Sequence, residues 1–548
     1  MALAPPAPPE VAGGARRSPR RAPGWTTAGL AVAVLVCAPL LALPLSFAGQ
    51  GEALDQIAAD LLPEALRASI VLAAGVGLGT LALGGLLAAL VSFYDFPGRR
   101  WLDWALVLPM AMPAYVLVFV LLGQYDFQSP LQRALRAVLG EGVRLPEVRS
   151  TAGAITVLTL VLYPYVYVLG RTAFLDQSRE TLEAARTLGL GHRRAILRVA
   201  LPLARPALAA GAALAVMEAL ADFGAVNLLN YRAMTDAIYR VWYGAFDQAA
   251  ALQLATVLVG LTVSLLLLER LLRGRARYHG ALVRGEAVVP RRLHGPAAAM
   301  AAAVPCLLVA LVVVLPLAQL VVWSVQSLGD GATPRMLARD ALNSLLLATV
   351  AAVVTLTAAV LVAATSRARP SRMTAAAVGA ASLGYAVPGT VVAVAVYVPL
   401  AWVDRRLGAL VFSGTVLGLV LAYVVRFHAL ALSSVRSRFA RIDPSLDEAA
   451  RALGADRGRV LSEVQLPLLY PGLVTAALLV FVEVLKELPA TALLRPLNGD
   501  TLAIAVWEAT KDSRFDTAAL PALLIVLVGL VPVVALMRAS RRGLSDEP

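Results

Sequence analysis

The sequence predicts an all-α membrane protein with about twelve transmembrane helices, arranged as two parallel repeats of six. Hydrophobic residues make up 59% of the 548 residues and charged residues only 15%, which is typical of polytopic membrane proteins. The chain contains many apolar windows of about 20 residues, the length that crosses a bilayer core. A charged stretch between two of these windows returns later in the chain with the same spacing, which indicates an internal repeat.

The apolar windows form two sets of six. The first set lies near 26–47, 68–92, 102–123, 151–173, 204–225 and 249–270. The second set lies near 298–325, 343–366, 373–400, 407–432, 469–490 and 517–538. The first window follows a basic stretch and ends in LSFA, so a cleaved secretory signal is an alternative. Its match to the seventh window in the repeat favours a retained span.

The domain organisation follows from these two sets. The predicted segments are a disordered cytoplasmic N-terminal tail over 1–22, a first transmembrane domain over 23–270, a basic cytoplasmic linker over 271–297, a second transmembrane domain over 298–540 and a cytoplasmic C-terminal tail over 541–548.

The orientation is predicted from the arginine clusters, because cytoplasmic loops of membrane proteins are enriched in Lys and Arg. RRSPRR in the N-terminal tail, PGRR at 97–100, the linker and SRARPSR at 366–372 all fall on one side. Both termini are therefore expected to face the cytoplasm. The loops near 124–149 and 401–408 place arginines on the opposite side, so the rule acts here as a bias.

Several classes of function find no support in the sequence. The net charge of +13 comes from arginine tracts between apolar windows, which does not indicate a nucleic-acid-binding face. The chain has two lysines, Lys486 and Lys511, and neither follows a glycine as a phosphate-binding P-loop requires. No HExxH or CxxC motif occurs. We therefore predict that this chain binds no nucleic acid and no cofactor of its own.

The repeated stretch is LEAARTLGLGHRRAILRVALPL at 182–203 and DEAARALGADRGRVLSEVQLPL at 447–468. Glu183 aligns with Glu448, and the register holds without a gap to the end of both copies. Each copy lies between the fourth and fifth windows of its half. Both copies are thus expected on the cytoplasmic side, which makes the repeat parallel rather than inverted.

The composition of these two signature loops predicts their conformation. Glu-Ala-Ala favours a short helix, and Gly189 or Gly454 permits a chain reversal after it. A second, amphipathic helix follows. Pro202 and Pro467 are expected to end this second helix and to redirect the chain into the membrane.

The pattern E-A-A-x-x-x-G, followed after nine residues by hydrophobic-x-Leu-Pro, resembles the cytoplasmic loop of permease subunits of binding-protein-dependent ABC importers. The resemblance implies the type I ABC importer transmembrane fold in a bacterial inner membrane, with both permease domains fused in one chain. It also implies two copies of a separate ATPase, which bind ATP and Mg²⁺, and a periplasmic substrate-binding protein. The residues that the resemblance assigns to ATPase coupling are Glu183, Ala184, Ala185, Gly189 and Pro202 in the first loop and Glu448, Ala449, Ala450, Gly454 and Pro467 in the second.

Acidic residues recur in register beyond the signature loops. The same two offsets from each signature glutamate lead to Glu218 and Asp222 in the first half and to Glu483 and Glu487 in the second. Charges near the ends of membrane spans are costly and often mark a pathway or a partner. Lys486 neighbours two of these acids, so local pairing is the alternative. Four carboxylates near a mouth favour a cationic substrate.

The stretch KELPATALLRPLNGDTLA at 486–503 resembles the equivalent segment of fused ferric-iron importer permeases, and ADFGAVNLL at 221–229 resembles its counterpart in the first half. The resemblance implies Fe³⁺ as the substrate, with thiamine and polyamines as alternatives in the same architecture. A proton-coupled secondary transporter is an alternative from another class. An integral-membrane enzyme, such as a lipid-modifying transferase, would need polar catalytic clusters that the sequence does not suggest.

Overall fold

The computed structural model describes residues 24–46, 52–126, 129–140, 147–177, 183–185, 187–273, 290–329, 334–368, 370–382, 384 and 387–545. The predicted N-terminal tail and most of the predicted linker lie outside these residues. The helices of the first half, residues 24–273, are α1 (Gly24–Leu45), α2 (Glu52–Phe93), α3 (Arg99–Ala105), a 3₁₀ turn (Leu108–Ala111), α4 (Ala114–Tyr125), α5 (Pro130–Leu139), α6 (Thr151–Leu175), α7 (His192–Ala221), α8 (Gly224–Leu228), α9 (Met234–Gly244) and α10 (Gln248–Arg273).

The second half, residues 290–545, follows a similar order, although its described residues include no counterpart of α5. Its helices are α11 (Gly295–Val309, a π-helical turn Ala310–Val314, and Leu315–Gly329), α12 (Pro334–Ala368), α13 (Arg372–Ala381), α14 (Gly389–Leu407), α15 (Val416–Phe439), α16 (Pro444–Ala452), α17 (Arg457–Leu485), α18 (Pro489–Leu494), α19 (Leu502–Lys511) and α20 (Phe515–Ser545).

The third span of each half is broken, which alters the expected count of twelve. Within the described residues, ten helices are long and apolar enough to cross a membrane, or eleven if α3, the 3₁₀ turn and α4 count as one span bent by 90°. The break falls at Met112, whose backbone is extended before Pro113, because a residue before proline avoids the helical region. The ninth window divides into α13 and α14 before Pro388.

The expectation that Pro202 and Pro467 end a helix is wrong. Both residues lie inside continuous helices, α7 and α17. A π-helical turn, Ile196–Ala200 or Val460–Gln465, comes directly before each Leu-Pro pair. Proline clashes with the carbonyl four residues earlier, and the wider π turn moves that carbonyl away from the ring. The chain therefore enters the membrane without a break at the proline.

Each half has a core of three matching helices. In the first half α2, α6 and α7 pack against one another, and in the second half α12, α15 and α17 do the same. Large aromatic side chains are buried in the first core, and the Tyr163 hydroxyl donates to the Leu106 carbonyl at 2.8 Å. This bond links α6 to the end of α3, in the broken third span.

The two halves are interlocked by an exchange of helices. α1 packs against α12, α13 and α14 of the second half, and α10 also contacts α14. In the reciprocal contact, α11 packs against α3 and α4 of the first half, and α20 contacts the 3₁₀ turn and α4. The outermost helices of each half therefore belong to the packing of the other half.

The end of the linker returns to the first signature loop. Tyr94–Asp95 (β1) pairs in parallel with Arg291–Arg292 (β2), and the Leu293 amide donates to the Asp95 carbonyl at 2.9 Å. The Tyr94 ring meets the His192 ring edge-on, with centroids 5.3 Å apart. His192 begins α7, so the linker and the signature loop lie at the same end of the molecule.

Candidate functional site

Both signature loops form a helical segment, a glycine turn and a second helix. In the second loop, α16 begins at Pro444 and the Ser445 amide donates to the Asp443 carboxylate at 2.9 Å. This bond lowers the pKa of Asp443. In the first loop Glu183, Ala184 and Ala185 are helical, whereas residues 178–182 and 186 lie outside the described residues.

The glycine turns are the same in both loops. Gly189 has a φ of +89° and Gly454 a φ of +90°, which confirms the reversal that the sequence predicts. The Leu190 amide donates to the Ala185 carbonyl at 3.2 Å, and in the second loop the equivalent amide, that of Ala455, donates to Ala450 at 3.0 Å. A bond that closes a helix in this way needs a left-handed residue just after the helix. This need explains the spacing of E-A-A-x-x-x-G.

If the loops couple the chain to an ATPase, as the resemblance implies, we expect Gly189→Val or Gly454→Val to lower ATP-driven uptake severalfold. A β-branched residue at a left-handed φ is strained by about 1–3 kcal/mol, so the turn would open and shift the preceding helix. Gly191→Val is the matched control, because Gly191 has a φ of −62° and no atom within 4 Å of an added Cβ. Uptake into vesicles measures the effect, and equal activity of the Gly189 and Gly191 variants would contradict the role of the turn.

Two exposed leucines, which the signature pattern does not include, lie beside these glycines. Leu188 is 85% exposed, and Leu453, its equivalent in the second loop, is 89% exposed. Single exposed apolar residues are common, but these two occupy the same tip in both loops. The tips therefore present an apolar side chain together with the exposed carboxylates of Glu183 and Glu448.

The second loop is anchored to the end of α12. Arg367 pairs with Asp447 at 2.8 Å and donates to the carbonyls of Phe439 and Ile442 at 2.8 and 3.0 Å. The Gln465 side chain also donates to Asp447 at 3.0 Å. The anchor therefore ties α12, the end of α15 and the start of α17 to the loop.

The four acids that the sequence singles out line one cavity between the halves. Its volume is about 130 Å³, and it lies at the ends of α7 and α17 that are farthest from the signature loops. The charged residues that line it are Glu218, Asp222, Arg426, Glu483, Lys486 and Glu487. Four acids and two bases leave a formal balance of 4 − 2 = 2 negative charges.

Two of the acids also hold the local backbone. Asp222 accepts hydrogen bonds from the amides of Ala225 and Val226 at 2.9 and 3.2 Å, which caps α8. Glu487, the equivalent residue, accepts from the Ala490 amide at 2.9 Å and caps α18. These two carboxylates therefore have a structural role in addition to lining the cavity.

The bases come from the second half. Lys486 pairs with Glu483 at 2.8 Å, as the pairing alternative predicts, and also interacts electrostatically with Glu218. Arg426 of α15 pairs with Glu487 at 3.3 Å. The first-half acids thus share bases supplied by the other half.

Arg426 is a site residue that sequence reasoning missed, although a lone arginine inside an apolar window is a signal for it. The Arg426 side chain passes the first turn of α14, where a Cβ on Gly389 would meet both Arg426 and, at 2.7 Å, Glu487. The Arg426 Nη1 atom is buried without a hydrogen-bond acceptor among the described residues. Gly389, which follows the break in the ninth window, has no side chain and therefore leaves space for the ion pair of Arg426 and Glu487.

Comparison with known proteins identifies the family of this arrangement. A family model described as binding-protein-dependent transport system inner membrane component matches residues 81–278 and 355–546. The two matches cover most of both halves and repeat the same unit, as the internal repeat predicts.

Individual relatives cover the chain to different extents. The chain is 26% identical over 531 residues to the Fe(3+)-transport system permease protein FbpB 2 of Haemophilus influenzae, covering 95% of this chain and 99% of that protein. It is 33% identical over 202 residues to a probable molybdenum ABC transporter permease protein of Haloferax volcanii, covering 36% of this chain and 71% of the relative. It is 29% identical over 265 residues to the sulfate transport system permease protein CysT of Escherichia coli, covering 46% of this chain and 92% of that protein.

Proposed function

The chain belongs to the family of inner membrane components of binding-protein-dependent transport systems, and on this premise we propose that it imports ferric iron in an ATP-driven transporter. A periplasmic binding protein would deliver the ion, and two copies of a separate ATPase would bind the signature loops. ATP would be hydrolysed on those partners and not on this chain. Both termini would face the cytoplasm, on the side of the signature loops.

The observation that carries the iron proposal is the excess of carboxylates in the cavity between the halves. A cleft lined mainly by one sign of charge raises the local concentration of the opposite ion. Among the described residues, no three His, Cys, Asp or Glu side chains lie close enough together to hold a metal ion. We infer that the acids attract a passing cation by charge and do not trap it by coordination, which suits a pathway. A relative of nearly the same length that is named for Fe(3+) transport supports the same substrate.

An oxyanion is the second candidate substrate. Arg426 and Lys486 line the same cavity, and Arg426 has a nitrogen without an acceptor among the described residues. Two of the relatives are named for molybdenum and sulfate transport. Under this alternative the two bases would contact the substrate, and the acids would serve only to hold them.

The test uses proteoliposomes that contain the chain with its ATPase and binding protein, loaded with ATP. Uptake of radioactive Fe³⁺, molybdate and sulfate is compared, with thiamine and a polyamine as competitors. We expect ATP-dependent uptake of iron. In Glu218→Gln/Asp222→Asn, iron uptake should fall roughly tenfold at low ionic strength, since the attracting charge is lost. Asn retains the ability to cap α8, so folding should persist.

Asp512→Asn is the matched control, because Asp512 is an exposed carboxylate outside the cavity that pairs with Arg514 at 2.9 Å. Its uptake should stay near the wild-type rate. Uptake of molybdate or sulfate with no uptake of iron would contradict the iron proposal. Full iron uptake in the variant that neutralises all four acids would remove them from the pathway, and uptake without ATP would favour a secondary transporter.

A further inference from the structure

A groove of about 590 Å³ opens on the first half at the end opposite the signature loops. Three separate segments line it: the N-terminal part of α2 with Arg67, the start of α6 with Arg149, and the loop after α8 with Arg232. α6 runs for 25 residues from this end to the first signature loop, a length of about 37 Å. The groove therefore lies on the outer face if the signature loops are cytoplasmic.

The groove carries an excess of positive charge. Among the described residues, three arginines and one acid, Glu64, line it, a formal balance of 3 − 1 = 2 positive charges. Arg232 pairs with Glu64 at 3.0 Å. Within the described part of the chain, neither Arg67 nor Arg149 forms an ion pair, and both side chains are exposed. Two guanidinium groups are thus available to an outside partner.

Two hydrogen bonds hold the backbone beside Arg67 and Arg232. The Tyr231 hydroxyl donates to the Ala68 carbonyl at 2.8 Å, and the Met234 amide donates to the Ser69 hydroxyl at 2.8 Å. The first bond joins the loop after α8 to α2, and the second joins the start of α9 to α2. A partner that binds here would meet arginines on a preformed surface, which lowers the entropy cost of binding.

Arginines on this side also oppose the charge bias that orients membrane proteins, so a function on the outer face is a reason for their presence. The second half does not repeat the patch. Asn230 and Asn498 occupy the same left-handed position in the two halves, with φ values of +55° and +63°. The residue equivalent to Arg232 is therefore Asp500, which pairs with Arg495. The outer face therefore carries a base on one half and an acid at the equivalent point of the other, and an asymmetric partner would fit it in one orientation.

We infer that Arg67, Arg149 and Arg232 form a docking surface for acidic side chains of the periplasmic binding protein. This inference rests on the proposed delivery of substrate by such a protein. Guanidinium groups bind carboxylates with paired hydrogen bonds, and complementary charges at a rim act mainly on the rate of association and its dependence on salt. A lipid phosphate on the same groove is the rival occupant that the experiment must distinguish.

The experiment titrates the binding protein onto the reconstituted complex of chain and ATPase and measures ATP hydrolysis. In Arg67→Glu/Arg149→Glu, the concentration of binding protein that gives half-maximal stimulation should rise roughly tenfold at low salt, and less at high salt. A hexaglutamate peptide should compete with the binding protein on the wild-type complex, whereas a hexalysine peptide should not. Thermal unfolding of the purified variant should match the wild type, because both substituted side chains are exposed.

Arg133→Glu is the control, since Arg133 is an exposed arginine on α5 outside the groove. An equal effect of this variant would show that general surface charge acts, and would overturn the groove assignment. An unchanged titration in Arg67→Glu/Arg149→Glu would overturn it too, and a changed phospholipid content with an unchanged titration would assign the groove to lipid. If the binding protein fails to stimulate even the wild-type complex, the proposed delivery is wrong instead.

Discussion

Reversing the charge of both signature glutamates, Glu183→Lys with Glu448→Lys, is expected to abolish ATP-driven uptake while the chain still reaches the membrane. Both side chains lie on exposed helical segments directly before the glycine turns, so the fold does not depend on burying them. At an interface, loss of a desolvated charge contact costs about 2–5 kcal/mol. Two such losses would separate ATP hydrolysis from transport.

The measurement combines uptake into vesicles with co-purification of the ATPase. Glu463→Lys is the matched control, because Glu463 is exposed on α17 after the second loop and pairs with Arg459 at 2.9 Å. This variant should retain most of the uptake. If the double variant co-purifies the ATPase at the wild-type level and stimulates its activity normally, the coupling role of the two glutamates is wrong.

Replacing Arg426 by Met is expected to destabilise the protein by about 3–5 kcal/mol, because it leaves a buried carboxylate without its cation. The Glu487 side chain is only 4% exposed and lies 3.3 Å from Arg426. Removal of the charge at both positions, in Arg426→Met/Glu487→Gln, should restore much of the loss. Thermal unfolding of the detergent-purified chain measures both effects.

The pair of Lys486 and Glu483 is the internal comparison. Glu483 is 30% exposed, so Lys486→Met should cost only about 1 kcal/mol, since water can solvate the remaining carboxylate. Equal stability of Arg426→Met and the wild type would mean that Glu487 does not depend on this arginine. The cavity would then owe its shape to helix packing and not to the ion pair.

The sequence alone predicted the features that depend on local chemistry or on periodicity. Apolar windows of bilayer length predicted the membrane class, and the gap-free alignment of Glu183 with Glu448 predicted the repeat. The left-handed turns at Gly189 and Gly454 followed in the same way, because a helix end with glycine after it has few alternatives. The shared offset of the acids also anticipated that equivalent residues of the two halves lie in equivalent places.

Only the tertiary structure decided which distant residues meet. Arg426 reaches Glu487 because α15 crosses the end of α17 beside the break before α14, and helix crossings are not encoded in the spacing along one helix. Likewise, the helices run on through Pro202 and Pro467 because preceding π turns absorb the clash. The arginine groove joins three segments that lie far apart in the sequence. Such contacts depend on how apolar helix faces pack together. The sequence therefore shows which residues are charged, whereas the packing of the helices determines which charged residues meet.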